Sequence, residues 1–479
     1  MTERIEKKLL IAGGGPGGRV SYSMARNIGI DDIALVINDE PTVVCSLPYG
    51  LGRKHVPGGP EDEVVDLARS PRLPKDIVKD VIKGHVTEMD TDKKVATVKT
   101  EKGQSIEIIF DKAILAPGAV PWIPPIEGVL AESSGKEPDS FTQVMIGRDF
   151  VPKNRLADNL YVMRGADDTR NLDSFAAKAK TAVVVGTGAI GLETAEALLD
   201  RGLGITLIEA LPHPVPFLDD EMSNRVRKKI FEKNIKLLEN TQVTKVLNNG
   251  VQTSDGKVIE ADGIVFATGV RPNTDLAAKS GLKTEKGIVT DEFLRTSCPD
   301  IFALGDAAQV KDAPTGQPIL PLIGTLAMRQ AMFAVMNIAG MERPFPPVTV
   351  WGLTQFYGLS FGSVGWSEEM ATKAGYKVKG ISLPYVTRGS EMPAMREGTW
   401  KVTVASEDSE LFSRGQIIGF QIVLEEESPL FLVERFIDIV TRRENVLDLS
   451  AYHFVHCPMH NDVMDPYMGF MAKARKVLG

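Results

Sequence analysis

The sequence predicts an α/β fold built from two parallel-sheet units and a β-rich C-terminal segment, and three observations carry that reading. The first is a pair of glycine fingerprints, Gly13-Gly14-Gly15-Pro16-Gly17-Gly18 and Gly186-Thr187-Gly188-Ala189-Ile190-Gly191. The second is their setting: each follows an apolar strand-like run, Leu9-Leu10-Ile11 or Val183-Val184-Val185, and opens a stretch with helical spacing. The third is the way each unit closes, on Ala113-Ile114-Leu115-Ala116-Pro117-Gly118 and on Val265-Phe266-Ala267-Thr268-Gly269. In such turns the first glycine permits the tight bend and the second lets backbone approach a pyrophosphate. The third lets helix pack on strand, with the helix N-terminus facing the phosphates. Two dinucleotides are implied, on two Rossmann-like domains.

The second copy is the better formed. Thr181 to Val185 reads as a buried parallel strand, Ile190 to Leu199 as a helix, and Ile205 to Ile208 as the next strand. Glu209 closes that strand, about 20 residues past the glycines, where a carboxylate accepts hydrogen bonds from the adenosine ribose and repels a 2′-phosphate. NADH is thus favoured over NADPH. In the first copy, strand Ile33 to Ile37 runs into Asn38-Asp39-Glu40, so the usual acid is replaced by Asn38 or lies one residue on.

With 479 residues, 43% hydrophobic and 25% charged, the chain can bury two or three substantial cores. A net charge of −8 argues against a nucleic-acid or anionic-membrane partner. No apolar run approaches the roughly 18 to 20 residues of a membrane span, and the start of the chain leads straight into a strand, so a cytoplasmic protein is expected. The three cysteines, Cys45, Cys298 and Cys457, are too scattered for a disulfide scaffold.

Cys45 stands out among them. It lies just beyond the second strand, before Pro48 and Gly50, which fix a turn, and close to Arg53, Lys54 and His55. A thiolate is the reactive form, and nearby cations favour it. The bland alternative, a small buried apolar residue, suits Cys298 better. At the other end, His453, His456 and His460 are three of the chain's six histidines and flank Cys457 and Asp462, whose carboxylate could orient a histidine. Acid/base or second-thiol chemistry, dimer packing and a metal site all remain open there, although ligands so close on one short loop rarely close a tetrahedron alone.

The boundaries read as follows: residues 1–125 form the first part of one nucleotide-binding domain and residues 126–159 a polar, aperiodic surface excursion. Residues 160–275 form the second nucleotide-binding domain, 276–345 return to the first, and 346–479 form the C-terminal domain. Within that last stretch, Gly415 to Val423 reads as β-rich and Pro429 to Val440 as a helix.

The combination of the glycine-rich start, the Cys45-Ser46-Leu47-Pro48-Tyr49 turn, Gly186 to Glu209 followed by Pro216-Phe217-Leu218-Asp219-Asp220-Glu221-Met222, and Ala303-Leu304-Gly305-Asp306 resembles the pyridine nucleotide-disulfide oxidoreductases. It is most similar to their single-cysteine branch: CoA-disulfide reductases, NADH-dependent persulfide or polysulfide reductases, and NADH oxidases and peroxidases. The resemblance implies a glutathione reductase-like fold, with an FAD domain interrupted by an NADH domain and followed by an α/β dimerisation domain carrying Trp366 to Glu369 and Gly375-Tyr376. FAD would sit on Gly13, Gly15, Gly18, Asn38, Gly118, Gly305 and Asp306, and NADH on Gly186, Gly188, Gly191, Glu209 and Gly269. Cys45 would lie over the flavin, Glu193 would face the flavin-nicotinamide contact, and His456 and His460 would reach the site from a partner subunit.

This sequence also departs from the family pattern. There is no Cys-x4-Cys dithiol; Val43-Val44 and Ser46 differ from the usual neighbours of the cysteine; Ala189 stands where a tyrosine often covers the flavin. The expectation is a homodimeric, FAD-dependent NADH oxidoreductase that reduces a small disulfide, persulfide or polysulfide, with a CoA-type substrate favoured. An NADH oxidase or peroxidase, and a flavoprotein that feeds electrons to another protein, are the alternatives.

Overall fold

The computed structural model describes residues 3–38, 44–53, 80–131, 142–389 and 391–479. Parallel pairing begins at the first strand. β1 (Glu3–Ala12) leads through the glycine turn into α1 (Pro16–Asn27), with Pro16 preset for the first helical turn, and on to β2 (Ile33–Ile37) and the short α2 (Leu47–Gly52). β3 (Val81–Asp90), β4 (Val95–Thr100) and β5 (Ser105–Leu115) follow. β5 returns parallel to β1, while the β3-β4-β5 meander is antiparallel. Alternate side chains of β1 serve two cores: Leu9 and Ile11 meet Tyr22 and Ala331, whereas Leu10 and Ala12 meet Val86 and Val98.

β6 (Ala119–Ile123) leaves this unit, and β7 (Gln143–Ile146) and β8 (Asp149–Pro152) form a hairpin whose first strand pairs with it. The stretch read as aperiodic thus carries two strands that widen the crossover sheet, with Val144 buried beneath.

The second unit comprises β9 (Leu160–Tyr161), α3 (Ala166–Ala176), β10 (Thr181–Val185), α4 (Ala189–Asp200), β11 (Gly204–Ile208), α5 (Asp220–Glu232) and β12 (Lys236–Leu238). The meander β13 (Val243–Leu247), β14 (Gly250–Thr253), β15 (Val258–Glu260) and then β16 (Gly263–Phe266) complete it. Its parallel order is β12-β11-β10-β16-β9. β17 (Val270–Pro272) runs back antiparallel to β6, making a two-strand crossover between the units. α6 (Asp275–Lys279), β18 (Ile301–Ala303), the hairpin β19 (Val310–Lys311) and β20 (Pro318–Ile319), and α7 (Gly324–Ile338) return to the first unit, where β18 pairs with β5.

The C-terminal body is a five-stranded antiparallel sheet, β21 (Trp351–Phe356), β22 (Leu359–Gly365), β23 (Val378–Val386), β24 (Glu397–Ala405) and β25 (Ile417–Glu425). With it go α8 (Glu368–Lys373), α9 (Leu430–Thr441) and α10 (Pro466–Leu478). Ser367 caps α8 and Asp465 caps α10 through side-chain oxygens. Trp400, Phe420 and Phe436 fill its core, the two phenylalanines stacked 3.8 Å apart.

A buried ionic joint ties this body to the second unit. Lys401 Nζ lies 2.8 Å from Asp219, 2.7 Å from Glu221 and 2.8 Å from Glu368. Burial opposes its charge, but the three carboxylates outweigh burial and raise its pKa. Removing Lys401 would cost about 3–5 kcal/mol, because Asp219 would stay buried without its cation.

Candidate active site

Three strands of the first unit end in register, Ala12 beside Leu115 and Leu115 beside Ala303. The residues that follow them, Gly13, Ala116 and Leu304-Gly305-Asp306, therefore meet at one carboxyl edge, where open α/β sheets bind ligands. A Cβ on Gly18 would lie 1.8 Å from the Gly13 carbonyl oxygen, so helix and turn touch. Gly15 is the opposite case: a Cβ there would meet nothing within 4 Å, and the helix N-terminus faces open space of the kind a pyrophosphate fills. Asn38 ends β2 on the same edge, while Asp39, Glu40 and Val43 lie outside the described residues.

Asp306 sits on a tight turn behind Gly305, whose φ is +76° and whose N–H donates to Gln330 Oε1 at 2.7 Å. Its Oδ2 accepts from Arg164 Nη2 at 3.0 Å. Gly118 lies against the same guanidinium. Sequence reasoning missed Arg164, because its partner is 142 positions away and nothing local marks it.

The second edge repeats the plan. Val185 lies between Ile208 and Phe266, so Gly186, Glu209 and Ala267 to Gly269 converge. Gly191 closes on the Gly186 carbonyl, and Gly188 and Gly269 face open space. Glu209 is buried; its Oε2 accepts from Thr187 N at 3.0 Å and Thr187 Oγ1 at 2.6 Å, and its Oε1 accepts from Leu211 N at 3.0 Å. The carboxylate thus braces the glycine turn, with lone-pair capacity left for a ribose hydroxyl. Val215, buried with φ +58°, donates its N–H to the Thr187 carbonyl at 3.2 Å and is a strained β-branched residue on this turn.

Cys45 is exposed on a 3₁₀ turn, Val44–Ser46, immediately before α2. Leu47 and Leu51 of α2 are fully buried against Leu192 and Leu198 of α4, which sets the cysteine turn against the helix of the second fingerprint. Of the three expected cations, Arg53 is described, and Lys54 and His55 lie outside the described residues. Tyr49 Oη donates to Glu193 Oε1 at 3.1 Å, and Thr354 Oγ1 donates to the same oxygen at 2.5 Å. Burial raises the Glu193 pKa, outweighing the two hydroxyl bonds. Neither Tyr49 nor Thr354 was singled out as a partner of Glu193 in the sequence.

The tail is built differently from the expectation. His456 Nδ1 lies 3.2 Å from both Asn461 Oδ1 and the Asp462 carbonyl oxygen, while the Asp462 carboxylate instead accepts from Val463 N. Asn461, not the Asp462 side chain, is therefore the orienting group, because the loop closes through its amide onto Cys457 N and the Val455 carbonyl. His456, Cys457 and His460 are exposed, as are the apolar side chains of Val455, Val463, Met464 and Met468. Among the described residues, no three His, Cys, Asp or Glu side chains are placed to hold a metal ion.

With two dinucleotide sites and an exposed cysteine turn in place, the class of protein follows. The profile of the pyridine nucleotide-disulphide oxidoreductases matches residues 7–334, and the chain belongs to that family. It is an NADH-dependent flavoprotein oxidoreductase with FAD and NADH as its cofactors. It is 29% identical over 471 residues to an NADH oxidase of Methanocaldococcus jannaschii, covering 96% of each chain. A CoA-dependent NAD(P)H sulfur oxidoreductase of Pyrococcus furiosus is 28% identical over 478 residues, covering 96% of this chain and 97% of the relative. Among solved structures, a NAD-dependent persulfide reductase from A. fulgidus superposes with a TM-score of 0.84 at 26% identity, over 98% of this chain and 83% of the other. Among the described residues, no helix is long and apolar enough to cross a membrane.

Proposed function

We propose that the protein oxidises NADH and reduces a small sulfur compound through Cys45, with a CoA-type disulfide, persulfide or polysulfide as substrate class. The carrying observation is the position of Cys45, exposed on a turn whose helix rests on the helix of the second fingerprint. The sulfur-reducing relatives support the same reading. In it, Gly13, Gly15, Gly18, Asn38, Gly118, Gly305 and Asp306 hold FAD, and Gly186, Gly188, Gly191, Glu209 and Gly269 hold NADH.

FAD held by those residues would supply two-electron transfer from NADH to sulfur. The chain supplies the nucleophile and the proton. The Cys45 thiolate attacks a sulfur–sulfur bond, keeps one half as a mixed disulfide, and releases the other half as a thiolate that takes up a proton. In a homodimer, the C-terminal loop of a second copy brings His456 or His460 to that thiolate; the exposed apolar side chains beside the loop suit such an interface.

Cys45→Ser should keep its flavin and be reduced by NADH under anaerobic conditions while losing sulfur-substrate turnover. Normal turnover by this variant would sink the reading. His456→Ala or His460→Ala should slow the sulfur half-reaction on the order of 10²-fold and leave flavin reduction unchanged. A second reading, an NADH oxidase, is favoured by Ala189, which leaves no aromatic ring at the head of α4, and by the relative of that name. Oxygen consumption that persists in Cys45→Ser would select it.

A further inference from the structure

We infer that Glu193 is a neutral carboxylic acid in the working protein and, through the hydroxyl of Tyr49, a positioning residue that fixes the Cys45 turn against the second glycine fingerprint. Three parts of the chain meet on this one side chain. Glu193 projects from α4, Tyr49 from α2, and Thr354 from β21, the last two 144 and 161 positions away. Both hydroxyls donate to Oε1, whereas Oε2 is buried and has no hydrogen-bond partner among the described residues.

That environment favours the protonated state. A buried carboxylate needs a cation or donors on both oxygens to offset its lost hydration. Here the partners are two neutral hydroxyls on one oxygen, so no positive charge compensates ionisation and the neutral carboxylic acid costs less.

The surroundings agree. Neither contact is with a cation, and β21 brings no ionisable side chain. Glu196, one turn along α4, carries the same sign and pushes the Glu193 carboxyl further toward protonation, after burial. From α2 come Tyr49 and Arg53, and the guanidinium acts on Glu196, as does Lys233. Tyr49 itself is held neutral, chiefly by burial.

The consequence reaches the thiol through geometry. Cys45 and Tyr49 are four residues apart on one continuous helical run, so anchoring the Tyr49 hydroxyl fixes the rotation of α2 and the direction of the cysteine. A carboxylate at this joint would oppose a thiolate electrostatically; the neutral acid positions the turn without that penalty. The inference deepens the proposed function and rests on Cys45 being the redox cysteine.

The test compares wild type with Glu193→Gln, Glu193→Ala and Tyr49→Phe. Isotope-edited infrared spectra at pH 7 should show a protonated carboxyl band in wild type that is absent from Glu193→Gln; a carboxylate band in its place overturns the neutral acid. Alkylation of Cys45 by iodoacetamide, which needs no substrate, should stay within about 2-fold in Glu193→Gln, which keeps the acceptor and the charge. It should change about 10-fold in Tyr49→Phe, as expected for one lost hydrogen bond. In Tyr49→Phe the sulfur half-reaction should change in the same proportion while the KM for NADH stays within about 2-fold of wild type. Glu193→Gln as impaired as Glu193→Ala, or Tyr49→Phe unchanged in alkylation, overturns positioning. Should Cys45→Ser retain sulfur turnover, the proposed function fails on its own, since the infrared band and the alkylation contrast do not involve a sulfur substrate.

Discussion

The two glycine turns share their joints and differ in what encloses them. In each, the third glycine closes on the carbonyl of the first, at 1.8 Å for a Cβ on Gly18 and 2.1 Å on Gly191, and the second glycine faces open space. The first turn is walled by distant segments, Gly118, Arg164 and Asp306, held together by an ion pair across the unit boundary. The second is finished locally, by Glu209 folded onto Thr187 and Leu211. A ligand enclosed by several parts of the chain exchanges slowly, whereas a locally finished edge suits one that comes and goes with each turnover. Under the proposed function, the enclosed first turn suits a resident FAD and the second an exchanging NADH.

The sharpest way to break this comparison is to place a side chain at the third glycine of each turn. Gly18→Val should yield protein without bound flavin, read from the visible spectrum. Gly191→Val should stay yellow yet be reduced by NADH at least about 10²-fold more slowly, while dithionite still reduces it. Loss of flavin from both variants would mean that the two turns are not functionally distinct.

A smaller effect is expected at the walls. Asp306→Ala leaves the half-buried Arg164 without its carboxylate and should weaken FAD retention about 10-fold or more, measured on deflavinated protein, with little change in the KM for NADH. Glu209→Ser should do the reverse: flavin content holds, the KM for NADH rises about 10-fold, and the preference over NADPH narrows.

The smallest effect concerns pH. His213 is buried, with Nδ1 3.0 Å from the Pro214 carbonyl oxygen and Nε2 3.0 Å from Glu369 Oε2. Both partners only accept, which favours the imidazolium. Burial lowers its pKa, but the carbonyl and Glu369 outweigh burial and raise it. A raised histidine pKa stabilises the fold fully below about pH 6.5 and loses that contribution as pH climbs through the folded-state value. Between pH 6 and 9, Tm should therefore fall roughly 2–4 °C more in wild type than in His213→Asn. Because Val215, two residues on, holds the Thr187 carbonyl, the same rise in pH should loosen NADH binding without releasing flavin.

Much of this molecule was legible in the chain. Strand Ile33 to Ile37, strand Thr181 to Val185 and the helices after each fingerprint lie where apolar periodicity put them, because parallel strands buried on both faces leave continuous apolar runs. Pro48 and Gly50, read as fixing a turn beyond Cys45, instead lie within α2, where proline is tolerated in the first helical turn. What escaped were pairings between distant positions: Arg164 with Asp306, Glu193 with Thr354, Lys401 with three acids. Each is one polar residue whose meaning depends on a partner more than a hundred positions away, and no local pattern records that. The hairpin β7–β8 escaped for another reason: its strands are short and half-exposed, so they leave little alternation to read. In the tail, the orienting group was misassigned by one residue, since Asn461 and Asp462 differ in the loop's closure and not in its composition.

The Lys401 cluster has a mechanical consequence. By clamping α5 to the C-terminal body, it makes the second unit and that body one leaf of the molecule, which β6 and β17 join to the first unit. Those two strands begin just after Gly118, at φ +69°, and Gly269, at φ +99°, so two pivots sit side by side at the root of the leaf. The α2 helix lies across the closing edge, attached to one leaf and resting on the other. A displacement of one leaf relative to the other would therefore be transmitted through α2 to the Cys45 turn.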